Sequence, residues 1–275
     1  MTPEAAGRAA AEAFRAEYRL GQQALGDLVA VIEQSTGVDV SVVDADDDEH
    51  GMTMRDPQRG RVFIAVARTH NPMRQRSTLA HELAHVIFGD WEQPDSGDWH
   101  ERDPVEQRAD AFARHLLVPL QGLKDFHSHP ITELADLSAV VQRFLVSPVI
   151  ASIALRQAAL IDEATKQEWI SIPTRSLATR FGWSDQYLAL ADESNRTRAP
   201  QRLLARAVRG YAENVVSLSA LARLRGVAEA DVEAELAEAG IIPEPTSVRW
   251  ADPADLPPVE VDLSGLEEDL EGPTE

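Results

Sequence analysis

Two segments of this chain carry helix-start signals in front of an amphipathic pattern, and a polar stretch separates them. Asn71-Pro72 precedes a pattern that runs through STLAHELAHVIF to Gly89, and Asp103-Pro104 precedes VEQRADAFARHLLV, which Pro119 ends. Asn or Asp before proline is typical of an N-cap and first helical turn, and glycine or proline is typical of a helix end. The sequence therefore predicts two antiparallel helices joined by the loop 90–102.

The first of these predicted helices contains the pattern His-Glu-x-x-His. Because His81 and His85 are four positions apart, both imidazoles lie on one face of a helix and can reach the same metal ion. Glu82 follows the first histidine, where its carboxylate can take a proton from a metal-bound water. Leu79 and Leu83 also make the helix amphipathic, so the histidines could instead be buried core residues. A third ligand on another element would favour the metal site.

Glu106 is the candidate for that third ligand. A catalytic zinc ion binds three protein side chains and one water, and a chain without cysteine must use His, Asp or Glu. Glu106 falls in the first turn of the second helix, which the antiparallel arrangement brings back beside the histidines. A first-turn glutamate can also serve only the helix dipole. Asp110, one turn later on the same face, can accept a hydrogen bond from the outer nitrogen of a ligand histidine.

We therefore predict one catalytic metal ion held by His81, His85 and Glu106, with Glu82 as the general base and Asp110 as an orienting carboxylate. This donor set suits zinc and also manganese. A hydrolytic site of this type needs a group that stabilises an oxyanion as well, and the sequence assigns none.

The remaining histidines are weaker candidates. His115 lies on the second helix but on a different side from Glu106, so we expect it to be buried against its neighbours. His127 and His129 lie in the segment DFHSHP, and His100 lies in the polar loop. Weak metal binding is open for these three, but solvated loop histidines are the favoured interpretation.

Upstream of the His-Glu-x-x-His helix the pattern changes from helical to extended. The first twenty residues and the stretch from Gly21 to Thr36 have apolar residues at helical spacing, and Gly37 ends the second pattern. Residues 38–43 and 61–67 are rich in β-branched residues. We expect them to form neighbouring antiparallel strands. The second could pair with an extended substrate by strand addition, and a packed strand without a ligand is the alternative.

Beyond about residue 130 the sequence is helical. Residues 136–161 and 217–240 have the spacing of helix-turn-helix units, which we interpret as packing modules that brace the first domain or dock a protein. After Ile242, prolines and acidic residues predict a disordered tail, in which a short partner-binding helix is an alternative. We therefore predict an α+β domain with a small antiparallel sheet at 1–128, a helical region with helix-turn-helix-like units at 129–242, and an acidic disordered tail at 243–275.

Charge argues against a nucleic-acid binder. The formal net charge is −20, and residues 251–275 contain nine acidic residues and no Lys or Arg, which still leaves the rest of the chain acidic. The second helix of the later helix-turn-helix-like unit, AEADVEAELAEA, has no basic residue either. The sequence has no long apolar run and no secretory signal, so we expect no membrane span and a cytoplasmic location, with which the lack of cysteine agrees.

RQRSTLAHELAHVIF at 74–88 and EQRADAFARHLLVP at 106–119 resemble the paired signature of the ImmA/IrrE family of bacterial metallopeptidases. The family pattern reads approximately R-x-R-F-T-L-A-H-E-L-G-H and then E-x-x-A-N-x-F-A-x-x-L-L-M-P. The resemblance covers roughly residues 20–120. It implies a zincin-like fold, a zinc ion held by His81, His85 and Glu106, and a catalytic Glu82.

Five positions depart from the family pattern. Ser77 replaces the usual Phe, Ala84 the usual Gly, Asp110 the usual Asn and Val118 the usual Met, and Ala67 stands where the strand often ends in Asn. None of these changes removes a predicted ligand or the predicted base. Ser77 and Ala67 are expected to line the approach to the site, where they would affect substrate preference.

The resemblance also implies a class of partner. Family members cleave or inactivate helix-turn-helix repressors, often encoded next door, and thereby switch on stress or mobile-element genes. By this resemblance the chain is expected to be a zinc endopeptidase acting on such a repressor. A non-catalytic, zinc-dependent anti-repressor is the first alternative. A DNA-binding regulator is the second, and the acidity of the chain disfavours it.

Overall fold

The computed structural model describes residues 1–45, 51–91, 103–127, 131 and 133–244. They form a mixed α+β fold, which confirms the predicted class. The strands are β1 Asp39–Val43, β2 Gly51–Arg55 and β3 Val62–Ala67. The helices are α1 Pro3–Glu17, α2 Leu28–Thr36, α3 Pro72–Phe88, α4 Pro104–Leu117, α5 Leu120–Phe126, α6 Leu134–Phe144, α7 Pro148–Gln157, α8 Glu163–Trp169, α9 Thr174–Arg180, α10 Ser184–Ser194, α11 Gln201–Ala212, α12 Leu218–Arg225 and α13 Glu229–Glu238.

The three strands form one sheet in the order β1-β3-β2. β1 is parallel to β3, and β2 is antiparallel to β3. The predicted antiparallel pairing of the first and last strands is therefore wrong. The reason is β2, which the sequence analysis missed: it forms a hairpin with β3 and so reverses the chain between the two predicted strands. β2 is mostly exposed, with Met52 49% and Met54 52% accessible, so its sequence lacks a clear pattern of buried residues.

The position of β3 in the middle of the sheet also rules out the predicted strand addition there, because both of its edges are already paired. One edge of β1 meets the main chain of Arg198, which exchanges two hydrogen bonds with Val42. Among the described residues, no strand pairs with the outer edge of β2.

The two central helices begin and end where the sequence predicts. Asn71 Oδ1 accepts a hydrogen bond from the Arg74 amide at 3.2 Å, and Asp103 Oδ1 accepts one from the Val105 amide at 2.9 Å. Gly89 closes α3 in the left-handed conformation, with φ of 72°. The helix predicted from Gly21 is shorter than expected: α2 begins only at Leu28, because Asp27 caps it.

α1 packs along α4 and helps to fix its position. Gly7 permits this close approach, since a Cβ at residue 7 would lie 2.5 Å from the Arg108 carbonyl oxygen. The buried Arg15 joins the same two helices, donating from Nε and Nη2 to the Leu116 carbonyl at 2.8 and 2.6 Å. Burial lowers the pKa of Arg15 to about 10.

One hydrophobic cluster of buried residues extends from Ala11 to Trp183, and a smaller one contains Leu221, Ala222, Val232 and Leu236. Buried residues on both sides of residue 128 belong to the first cluster, and the predicted domain division at that point stays a prediction. The predicted acidic tail lies outside the described residues from position 245 onward.

The helix pairs predicted at 136–161 and 217–240 are both present. α6 and α7 differ in direction by 106°, and Gly226 lies in the turn between α12 and α13. In the described part of the chain, no single helix has the length and apolar character to cross a membrane. The bent pair α6–α7 meets that test only by joint length and composition.

Candidate metal centre

The structure brings the three predicted ligands together. His81 and His85 project from one face of α3, and Glu106 projects from the first turn of α4. One ligand atom from each of the three lies within 4.8 Å of the other two. His81 Nε2 lies 3.1 Å from His85 Nε2 and 3.1 Å from Glu106 Oε2, and His85 Nε2 lies 3.6 Å from Glu106 Oε1. This group can hold a metal ion.

These separations fit a small tetrahedral ion. Imidazole nitrogens and carboxylate oxygens lie about 2.0–2.1 Å from zinc, so two of them at the tetrahedral angle are about 3.3–3.4 Å apart. The 3.1 Å between the two imidazole nitrogens is close to that value, and the two oxygens of Glu106 lie at similar distances, Oε2 3.1 Å from His81 and Oε1 3.6 Å from His85. Two imidazoles and one carboxylate are also the donor set of catalytic rather than structural zinc sites, because one position remains for water or substrate.

Asp110 orients the first histidine. Its Oδ1 lies 3.0 Å from His81 Nδ1, so the Nδ1–H group donates to the carboxylate and the lone pair of Nε2 points towards Glu106 and His85. Burial lowers the pKa of His81, but the Asp110 hydrogen bond and the surrounding negative charges outweigh it and raise the net pKa above its ordinary value. The same negative charges favour a metal cation.

Asp90 plays the equivalent part for the second histidine, and the sequence analysis missed it. Its Oδ2 lies 3.3 Å from His85 Nδ1, and its Oδ1 accepts a hydrogen bond from Arg108 Nη2 at 2.7 Å. The Arg108 guanidinium stacks 4.0 Å above the centre of the Phe88 ring. Asp90 is 11% exposed. The Asp90 amide also donates to the His85 carbonyl at 3.0 Å across the Gly89 turn, so the end of α3 itself places this carboxylate.

Glu82 lies outside the ligand group and is held by β2. Its Oε2 accepts a hydrogen bond from the Thr53 hydroxyl at 2.7 Å. Gly51 brings the β2 backbone against the same side chain, since a Cβ at residue 51 would lie 3.0 Å from Glu82 Oε1 and 2.6 Å from Thr78 Cγ2. Glu82 is only 8% exposed. An acid in this position can accept and return a proton without binding the ion.

The other histidines do not join this site. His115 is buried, as expected, and its Nε2 lies 2.8 Å from Glu4 Oε1 on α1. The Nε2 of His127 is buried and has no hydrogen-bond partner among the described residues. His100 and His129 lie outside the described residues.

In a comparison with known protein families, one segment of the chain matches a family model. Residues 34–156 match a family model, Peptidase_M78, that is described as the IrrE N-terminal-like domain. The segment covers less than half of the 275 residues, but it contains the whole sheet, α3 and α4, and hence the three predicted ligands, Glu82, Asp90 and Asp110. No curated protein matches the chain.

Proposed function

We propose, from the match of residues 34–156 to the IrrE N-terminal-like domain, that this chain is a zinc-dependent endopeptidase of the ImmA/IrrE family that cleaves a helix-turn-helix repressor in the bacterial cytoplasm. Such cleavage would release stress or mobile-element genes from repression. The observation that supports catalysis is that the metal ligands and the proposed base are separate groups. One ligand atom each from His81, His85 and Glu106 lies within 4.8 Å of the others, while Glu82 is hydrogen-bonded to Thr53 and does not belong to this group.

Each residue of the site has a defined task in this proposal. A bound zinc ion supplies Lewis acidity, which makes a water acidic near neutral pH and polarises a peptide carbonyl. Thr53 donates to Glu82 Oε2, which leaves Oε1 to take a proton from the attacking water and pass it to the leaving amine. Asp110 and Asp90 hold the two imidazoles in the orientation that directs Nε2 of each towards Glu106.

The outer edge of β2 is the place where we expect an extended substrate to bind. No described strand pairs with this edge, and Gly51 and Thr53 of the same strand contact Glu82. A peptide that adds to β2 would therefore lie next to the proposed base. Specificity would come from pockets for alternate side chains, and Met52 and Met54 are exposed on this strand.

The identity of the partner rests on family membership and on charge. A repressor that binds DNA carries a basic surface, and this chain has a formal net charge of −20. Opposite charges accelerate association and orient the encounter. Direct binding of this chain to DNA is disfavoured for the same reason.

One helix nevertheless has a basic surface that would favour binding to DNA. Arg202, Arg206 and Arg209 are exposed at positions i, i+4 and i+7 of α11, so they form one basic stripe. The neighbouring α13 offers no basic residue and carries Glu229, Asp231, Glu233, Glu235 and Glu238. Salt-sensitive duplex binding that does not depend on zinc would be required to support this alternative.

The decisive experiment is co-expression of the chain with the helix-turn-helix regulator encoded nearest to its gene. We expect a discrete, metal-dependent fragment of the regulator, which disappears with Glu82→Gln and persists with the surface control Glu168→Gln. A stable zinc-dependent complex without a fragment, formed equally by the Glu82→Gln variant, would replace the endopeptidase proposal with the non-catalytic anti-repressor. Mapping the ends of the fragment by mass spectrometry would define the cleavage site.

A further inference from the structure

A cavity of about 400 Å³ lies on the side of α3 that faces away from the metal centre. α3 contributes Pro72, Gln75, Arg76 and Leu79 to its wall. This i, i+3, i+4, i+7 set forms one helix face, and at 3.6 residues per turn His81 and His85 fall on the opposite face. The cavity is therefore separate from the predicted metal site, and the proposed peptidase mechanism does not use it.

The cavity lies at the junction between the first half of the chain and α10. Its walls are fixed by hydrogen bonds across that junction. Gln75 Nε2 donates to the Ser194 carbonyl at 2.8 Å, and the Ser194 hydroxyl donates to the Thr69 carbonyl at 2.7 Å. The main chains of Val42 and Arg198 also pair there. A cavity with such fixed walls is pre-formed, as ligand sites usually are.

Apolar side chains form the larger part of the wall surface, including Leu28, Val29, Val42, Leu79, Leu145 and Leu190, and the wall also carries charged residues of both signs: Asp27, Arg76, Glu193, Arg196 and Arg198. Small-molecule sites in proteins are about 300–1,000 Å³ and combine an apolar lining with a few polar groups that fix orientation. At about 400 Å³ this cavity is at the lower end of that range, which limits any occupant to a small molecule.

The polar group that distinguishes this cavity is the buried guanidinium of Arg76. The residue is 9% exposed and donates to the carbonyls of Leu145 at 3.1 Å, Gly26 at 2.6 Å and Leu25 at 2.5 Å. Among the described residues, no carboxylate lies within salt-bridge distance of it, but the negative charges of Asp27 and Glu193, which also line the cavity, act on it and partly oppose the effect of burial on its pKa. Burial lowers the pKa of Arg76 to about 10.

The charge and geometry of Arg76 favour a carboxylate as its partner. A guanidinium has five N–H donors, and the three carbonyl bonds use one from each nitrogen, so two donors remain on Nη1 and Nη2. A guanidinium with free donors forms charge-assisted hydrogen bonds with a carboxylate. At the rim, Arg198 is already paired with Asp27 at 2.8 Å, whereas Glu193 forms no ion pair with a described residue.

We propose that this cavity binds a small amphipathic carboxylate, with its carboxylate on Arg76 and its apolar body against the leucine and valine wall. Such a ligand would bridge α3 and α10 and stabilise the junction between the two halves of the chain. The proposal does not depend on peptidase activity, because the cavity and the metal site lie on opposite faces of α3.

The test compares octanoate with its uncharged analogue octanamide by isothermal titration calorimetry on the full chain. EDTA is present throughout, since a carboxylate could otherwise bind a metal ion at His81 and His85. We expect octanoate to bind about 10-fold more tightly than octanamide, because only octanoate forms charge-assisted bonds. Equal affinities for the two probes, or no binding of either, would overturn the proposal.

Two substitutions at the rim locate the binding. Leu190→Trp fills the cavity from a partly exposed wall position, so octanoate binding should be lost. Glu193→Gln removes a negative charge near Arg76, so octanoate should bind more tightly while octanamide is unaffected; Glu168→Gln on α8 is the control. If the Leu190→Trp protein does not fold, the Glu193→Gln comparison decides alone. Octanoate binding that is unchanged in the variants would place it elsewhere and contradict the proposal.

Discussion

Each predicted ligand histidine is held by its own carboxylate, and the two carboxylates come from different parts of the chain. Asp110 on α4 lies 3.0 Å from His81 Nδ1, and Asp90, directly after α3, lies 3.3 Å from His85 Nδ1. Asp90 is itself held by an ion pair with Arg108 at 2.7 Å.

Removing the charge of Asp90 should weaken metal binding. In Asp90→Asn the amide can no longer stabilise the imidazole orientation as a carboxylate does, and Arg108 loses its ionic partner. We expect zinc affinity to fall about 10-fold to 100-fold, measured by competition with a chromophoric chelator. Asp185→Asn, on exposed α10, is the matched control. An unchanged affinity in a folded Asp90→Asn protein would show that Asp90 does not position His85.

Substitution of Thr53 should lower the rate of peptide-bond cleavage without changing zinc affinity. Its hydroxyl bonds to Glu82 Oε2 at 2.7 Å and has no contact with the predicted ligands among the interactions described. On the proposed function, Thr53→Val should lower kcat about 10-fold with zinc affinity unchanged, and Thr53→Ser should restore it. The measurement is the rate of regulator cleavage, alongside chelator competition. Loss of zinc affinity in the valine variant would instead assign Thr53 a structural role.

The ligand group could be predicted from the sequence because its geometry is mostly local. A four-residue spacing fixes His81 and His85 on one helix face, and two capping signals fix the start of each helix. Thr53 could not be found in this way, since it reaches Glu82 from a strand 29 positions away. Asp90 had a usable signal: an acid directly after a helix-ending glycine is folded back towards the last turn.

At the level of elements, the sheet shows why pairing is harder to predict than helices. β1 and β3 were recognisable from their β-branched residues, but their relative direction depends on the intervening β2. That strand has Thr53 as its least exposed residue and Met52 and Met54 half exposed, so no buried face marks it. The order β1-β3-β2 leaves β1 and β2 at the edges of the sheet; among the described residues, Arg198 bridges the outer edge of β1 at Val42 and no strand pairs with the outer edge of β2.

The packing of α1 against α4 predicts a link between a distant glycine and the metal site. In Gly7→Ala the new methyl group would meet the Arg108 carbonyl at 2.5 Å, so the two helices must separate. We expect a loss of about 1–3 kcal/mol in the free energy of unfolding, measured with urea. Because α4 carries Glu106, zinc affinity should fall in parallel. Gly60→Ala tests the specificity: Gly60 has a φ of 65°, which strains an alanine and should also lower stability, but no atom lies within 4 Å of the new Cβ, so zinc affinity should be retained.

At the scale of the whole molecule, one polar network joins three helices. Glu4 on α1 accepts hydrogen bonds from His115 at 2.8 Å, from Gln157 on α7 at 2.7 Å, and from Arg114. Burial lowers the pKa of His115 below its ordinary 6.5, despite the opposing effect of Glu4. Burial raises the pKa of Glu4, but hydrogen bonds from His115 and Gln157 and the charge of Arg114 outweigh it, and the net pKa falls below 4.5.

Both shifts make the fold acid-sensitive in the same direction. A folded-state pKa below the unfolded one means that the unfolded chain binds more protons, so stability is lost as pH falls. For His115 the loss begins below about pH 6.5, and for Glu4 it begins below about pH 4.5. The raised pKa of His81 acts in the opposite direction, so the contribution of His115 is the difference between the native chain and a variant in urea unfolding between pH 7.5 and about 5. His115→Gln removes the titrating group, so the variant should lose less stability than the native chain as the pH falls, even if the variant is less stable at pH 7.5. An equal slope in both proteins would show that His115 does not control the acid response.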